Sequence, residues 1–345
     1  MILHVLKSNI YSGAENVVCQ IINGLKEQEE FIYMAPHGPI EDKLKSLNLY
    51  EHYYGIDKLD ISSIKDAVSN LHPTVVHAHD FTASILCALA LKNTVPIVSH
   101  LHNNPPWIKN INIKSLAYRY SCKYYSHVLM VSDAVKDEYR YTKSIKCPIT
   151  VLGNPFSVES VVSQVDTTAH GLDSDILFVG RLVEQKNPLL FAEIAKDLIE
   201  RGVASTARVV GDGELMGELK SFVEVNSLQE KLVLEGFKKN SYDYMANTKI
   251  QIMPSKWEGF GLVALEAMSL GKPVLGTSNG GLCNIIDDSC GHICDTKVDY
   301  VNAAIELLSD YTLYQQKSID AKKRAKEYDN ISNYCKKLYS IYHEL

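Results

Sequence analysis

The sequence predicts an α/β protein built as two doubly wound, Rossmann-like domains facing each other across a cleft. Three observations carry this. Short apolar runs alternate with helical stretches along the chain, the pattern of parallel βαβ units. The series runs twice, restarting at Ile176 after a Ser-, Val-, Thr- and Asp-rich stretch over 157–175 that reads as an interdomain linker. At 345 residues the chain is longer than one typical domain of about 100–200. The expected division is 1–160, 161–325, and a C-terminal helix over 326–345 that packs back on the first domain.

Bulk composition excludes several classes. A formal net charge of −6 argues against a general nucleic-acid binder. No window reaches the roughly 18 apolar residues of a membrane-spanning helix. The opening Met1 to Leu6 reads as a strand rather than a signal peptide. Eight scattered cysteines suit reduced thiols in a cytoplasmic protein better than a disulfide frame.

In chain order, Ile2 to Leu6 is a strand, and Ser12 is placed to cap the helix that follows. Between them, Ser8 to Glu15 forms a small-residue loop containing Gly13 at a strand's C-terminal end, where doubly wound sheets bind ligands. His77 and His79 alternate on the strand Thr74 to His79 and share one face. With no third ligand near them in sequence, they read as hydrogen-bonding rather than metal histidines. His102 ends the next strand, at a ligand-binding position. Residues 109–146 carry eight basic against three acidic side chains, with Trp107 and several tyrosines interleaved. That composition fits a solvated helix face or a surface that touches anionic lipid.

The second half is richer. Phe178-Val179-Gly180-Arg181-Leu182 ends a strand, and Lys186 with Arg181 places two cations on one loop, as a phosphate clamp requires. Gly211-Asp212-Gly213 imitates a dinucleotide fingerprint, with Glu235 where a ribose-binding acid would stand. The third glycine comes one residue late, so a plain strand-to-helix turn is favoured. Ile250 to Met253 is a buried strand. It runs into Pro254-Ser255-Lys256-Trp257-Glu258-Gly259-Phe260-Gly261, and a helix starts at Leu262. Such a turn presents backbone N–H groups and a helix dipole to an anion. Glu258 and Glu266 flank it, too far apart for a glycosidase acid/base couple and suited to two parts of one long ligand. Cys283, Cys290, His292 and Cys294 lack zinc-finger spacing, so no metal is expected there.

Phe178 to Leu182, Lys186-Asn187-Pro188, Val210 to Gly213, Pro254-Ser255 with Glu258 to Gly261, and Glu266-Ala267-Met268 together resemble glycosyltransferase family 4, a family of retaining enzymes with the GT-B fold. The resemblance implies that Glu258 contacts the transferred sugar and Glu266 the ribose. Gly259, Phe260, Gly261 and Leu262 would offer N–H groups to the sugar and diphosphate. Arg181 and Lys186 would neutralise the departing diphosphate, with Gly236, Phe237 and Lys238 near the base. In the N-terminal, acceptor-binding half, His102 would lie beside the reacting sugar and Gly13 near the diphosphate. Ser12 departs from the family's usual second glycine.

The activity so implied is metal-independent transfer of a hexose to a sugar hydroxyl of a glycan or lipid-linked oligosaccharide, in cell-surface polysaccharide synthesis. No cofactor is expected. The co-substrate is a nucleoside-diphosphate sugar, expected to be a UDP-sugar, although no residue separates uridine from guanosine. The place of action would be the cytoplasm, with peripheral contact at the inner face of the membrane. Two other readings stay open: a nucleotide-sugar epimerase or hydrolase on the same fold, and a non-catalytic nucleotide-sugar binding protein.

Overall fold

In the computed structural model, which describes residues 1–169 and 171–345, the chain divides into two compact units. One comprises Met1–Pro155 with Asn330–Leu345, the other Phe156–Asp329.

The first unit holds a parallel sheet of β1 (Ile2–Val5), β2 (Phe31–Pro36), β3 (Tyr53–Ile56), β4 (Val75–His79), β5 (Ile97–Leu101), β6 (His127–Met130) and β7 (Ile149–Val151). The strand order is β3-β2-β1-β4-β5-β6-β7. β1, β4, β5 and β6 are buried along their whole length, as strands covered by helices on both faces must be. The helix Gly13–Leu25 buries Val17, Val18, Ile21 and Ile22 in a core shared with Phe31, Tyr33 and Leu129. Tyr334, Cys335 and Leu338 of the C-terminal helix Ile331–His343 enter the same core. A Cβ on Gly24 would come within 2.5 Å of Cys335 Sγ, so a glycine lets these two helices close together.

The second unit holds β8 (Ser174–Val179), β9 (Ala207–Val210), β10 (Leu232–Gly236), β11 (Thr248–Met253), β12 (Val274–Thr277) and β13 (Gly291–Cys294), all parallel, in the order β10-β9-β8-β11-β12-β13. Its core gathers Ile176, Phe178, Phe191, Val209, Ile250 and Leu275. In both sheets the chain reverses its winding beside the first strand, between β1 and β4 and between β8 and β11. Loops leaving such a pair part in opposite directions and open a crevice at the strands' C-terminal ends.

Three sequence readings need correction or sharpening. The stretch 157–175 is not a bare linker: it carries a helix, Val158–Val162, capped by Ser157, and the units divide between Pro155 and Phe156. The glycines of Gly211-Asp212-Gly213 serve packing. A Cβ on Gly211 would lie 1.8 Å from Gly180 O, and one on Gly213 would lie 2.5 Å from Leu182 O. Glu235 is no open ribose acid, because it pairs with Arg208 and, at 3.2 Å, with Lys238.

Candidate functional site

The loop after β8 and the loop after β11 leave adjacent strands and are bonded to each other. Lys256 N donates to Gln185 O at 2.8 Å, and Gln185 Nε2 donates to Trp257 O at 3.2 Å. Arg181 stands exposed on the first loop, with Nη2 3.5 Å from Gln185 Oε1. Lys186 sits deeper, and its Nζ meets Glu258 Oε2 at 2.5 Å. Ser255 Oγ donates to the same carboxylate oxygen at 3.3 Å. The cation expected at the diphosphate and the carboxylate expected at the sugar are thus each other's partners. A charged pair held with one further hydrogen bond and little water is a preorganised site.

The backbone at Glu258 is fixed from the other side. Glu258 N donates to Asn279 O at 3.1 Å and Gly281 N donates to Glu258 O at 2.8 Å. Gly280 has φ +104°, and a Cβ there would lie 2.0 Å from Glu258 O. Gly261 caps the helix Leu262–Ser269 at φ +108°, a conformation that disfavours any side chain. No side chain caps this end and no acidic residue lies in its first turn, so the positive helix pole is unopposed. The Phe260 ring is buried and packs edge-on against Tyr328, which leaves only its backbone to face a ligand.

Glu266, one turn further in, is half-buried, and desolvation raises its carboxyl from 4.5 to about 7. Tyr242 Oη donates to its Oε1 at 3.4 Å. At the end of β10, Phe237 is 74% exposed, whereas Lys238 is drawn back to Glu235 and lies 5.6 Å from the centre of the Tyr244 ring. Gln185 and Tyr242 escaped sequence reasoning, because each acts only through a partner more than two turns of chain away.

In the first unit, His102 directly follows β5 and Gly13 opens the helix Gly13–Leu25. Nothing lies within 4 Å of a Cβ built on Gly13. The buried Glu15 accepts from Ser12 N at 3.1 Å and Ser12 Oγ at 2.5 Å, and burial raises its carboxyl. A cavity of about 350 Å³ at this switch point is lined by Lys7, Ser8, Glu15, His79, Asp80 and Thr82. The expectation that His77 and His79 stand without further imidazoles fails. Parallel register puts His4 of β1 beside His77, and His100 of β5 beside His79. His79 Nδ1 is 2.9 Å from His102 Nε2. Burial keeps His102 down at about 4 and His4 at about 3, so both are neutral at pH 7.

Two parallel, doubly wound units, the second with a bonded loop pair carrying Arg181 and Lys186 at its switch point, define the GT-B class of architecture. Comparison with known proteins gives the family. The pattern described as Glycosyltransferase Family 4 matches residues 11–160, and that described as Glycosyl transferases group 1 matches residues 166–327. The chain belongs to the family 4 glycosyltransferases.

An Escherichia coli UDP-Gal:alpha-D-GlcNAc-diphosphoundecaprenol alpha-1,3-galactosyltransferase is 36% identical over 141 residues, 39% of this chain and 36% of that enzyme's length. A Campylobacter jejuni N-acetylgalactosaminyltransferase acting on a diphospho-undecaprenol-linked sugar is 30% identical over 54% of this chain and 51% of its own. Among solved structures, Anabaena HepE in complex with UDP-glucose superposes with a TM-score of 0.84 at 18% identity, covering 100% of this chain and 99% of that one.

Proposed function

We propose that this chain is a retaining, metal-independent glycosyltransferase. It moves a hexose from a UDP-sugar to a sugar hydroxyl of a lipid-linked glycan during cell-surface polysaccharide synthesis. The observation that supports this most is the Lys186–Glu258 pair at 2.5 Å, beside an exposed Arg181 and an uncapped helix start. Breaking a sugar–phosphate bond leaves a diphosphate whose growing charge must be met as it forms. Fixed cations and backbone N–H groups meet it without reorganisation, which is often the largest catalytic contribution. In this reading the diphosphate takes over Lys186, and Glu258, so released, accepts from the sugar hydroxyls. Glu266 holds the ribose and Phe237 the base. The acceptor hydroxyl attacks from the face the diphosphate leaves, so configuration is retained.

The acceptor reading draws on the two diphosphoundecaprenol-dependent relatives and on a surface of the first unit. Ile111 (64% exposed), Ile113 (87%) and Tyr120 (54%) stand out to solvent amid Lys109, Lys114 and Lys123. Exposed isoleucines interspersed with lysines along the chain suit an anionic lipid interface. Sedimentation with phosphatidylglycerol vesicles tests this, and equal binding to neutral vesicles contradicts it.

The function is tested by incubating the purified chain with UDP-glucose, UDP-galactose or UDP-N-acetylglucosamine and a diphospholipid-linked sugar. UDP release that requires the acceptor, with an α-linked product by NMR, is expected. Release without acceptor would make the chain a hydrolase, and binding without release a non-catalytic protein.

A further inference from the structure

Five imidazoles converge inside the first unit: His4 on β1, His77 and His79 on β4, and His100 and His102 at β5. His4, His77, His79 and His100 are at most 2% exposed, and His102 alone is part-exposed. Their hydrogen bonds sort them into an inner and an outer set. His4 Nδ1 lies 2.9 Å from His79 Nε2, and His77 Nε2 lies 3.3 Å from His100 Nδ1. His77 Nδ1 is bonded in turn to Tyr342 Oη at 2.6 Å. Once those outer contacts are made, His79 keeps Nδ1 and His100 keeps Nε2. Nδ1 of His79 is 2.9 Å from His102 Nε2. Nε2 of His100 is fully buried with no hydrogen-bond partner, as are His4 Nε2 and His102 Nδ1.

A buried ring nitrogen without a partner is costly, and neutral imidazole nitrogens are the commonest ligands of zinc-like ions. His79, His100 and His102 can each bring one ring nitrogen within 4.8 Å of the others. Two nitrogens bound at about 2.05 Å to one metal stand about 2.9 Å apart at a right angle and about 3.3 Å apart in a tetrahedron. The His79–His102 separation falls at the near end of that range. Metal-bound histidines characteristically donate their remote N–H to an outer partner. Here His4 serves His79, and His77, backed by Tyr342, serves His100. Asp80 Oδ1 accepts from the backbone N–H of His102 at 3.0 Å and places a carboxylate beside the group.

We propose that His79, His100 and His102 form a three-nitrogen site for a divalent transition metal of the zinc and cobalt type, with His4 and His77 as its outer hydrogen-bond partners. The fourth position is left for water, as in three-histidine zinc sites. Entry is by way of His102, the one ring that reaches solvent. His102 also stands where the family resemblance puts the reacting sugar, in an enzyme proposed to need no metal for transfer, so the test reads metal binding rather than turnover.

The whole chain is stripped with EDTA and titrated with Co²⁺, following visible d–d absorption. One Co²⁺ per chain is expected, displaced by Zn²⁺, with a rise in Tm. His100→Asn and His79→Asn should weaken binding at least about 100-fold, and His4→Phe about 10–100-fold as an outer partner. His127→Asn, at a ring bonded to Thr150 instead, should bind as the wild type does. No band in the wild-type chain overturns the site whatever the variants do, and so does a folded His100→Asn chain that keeps full affinity. Either result leaves the rings a hydrogen-bonded chain only.

Discussion

Lys186 Nζ stands 2.5 Å from Glu258 Oε2, joining two loops that leave neighbouring strands of the second unit. Both side chains are largely shielded, at 16% and 11% exposure, so removing one partner strands the other in a poorly solvated place. Loss of one partner of a fully buried pair costs about 3–5 kcal/mol, and this partly shielded pair should cost less, about 1–3. Lys186→Met and Glu258→Gln should therefore each lower stability in urea unfolding, while the double variant regains part of the loss. Turnover should fall about 100-fold or more in all three. Singles whose stability losses simply add would show that the pair is not coupled.

Glu266 supplies the pH dependence. Its folded-state carboxyl is raised from 4.5 to about 7 by burial, so the folded chain holds this proton more tightly than the unfolded one. The associated stability is complete below about 4.5 and is lost as pH rises through about 7. The ionised carboxylate is the better acceptor for ribose hydroxyls. UDP affinity should accordingly strengthen across pH 6 to 8 in the wild type. Glu266→Gln should remove the part of that rise not due to UDP's own phosphate titration. Parallel Kd–pH curves for the two proteins would contradict this role.

Phe237 is 74% exposed at the end of β10, a large apolar ring with little to gain from the fold. Stacking of a base on an aromatic side chain is worth about 1–3 kcal/mol. Phe237→Ala should therefore weaken UDP binding about 5- to 150-fold by calorimetry and leave Tm within a degree or two. A loss of Tm with unchanged affinity would assign the ring to packing.

Gly280 tests the backbone under Glu258. Its φ of +104° and the 2.0 Å approach of a built Cβ to Glu258 O leave no room for alanine. Gly280→Ala should cost about 1–3 kcal/mol of stability through strain and displacement. It should cut turnover more than it raises the donor KM, because Glu258 moves. Full activity in this variant would show that the Glu258 backbone is not held from that side.

Much of this was legible in the chain, for identifiable reasons. Stretches such as 176–179 are continuous apolar runs, and the turn at Gly259 to Gly261 announces itself by composition. Glu258 and Glu266 are tied to one turn by local spacing. What depends on register was not legible. His4 and His100 join His77 and His79 only because β1, β4 and β5 lie side by side, a fact of strand order rather than of periodicity. The same holds for Gln185, which meets Trp257 across 72 residues. The glycines at 211 and 213 read as a plain turn, but their reason is the close approach of Gly180 and Leu182, which no spacing displays.

The central claim is that the second unit grips the diphosphate of a UDP-sugar with Arg181 and Lys186. Calorimetric titration of UDP into the whole wild-type chain and into the Arg181→Ala/Lys186→Ala variant, at matched salt and with folding checked by circular dichroism, tests it most directly. One UDP per chain in the wild type and at least about a 100-fold weaker Kd in the folded variant is the expected result. An unchanged Kd in that variant would contradict the claim.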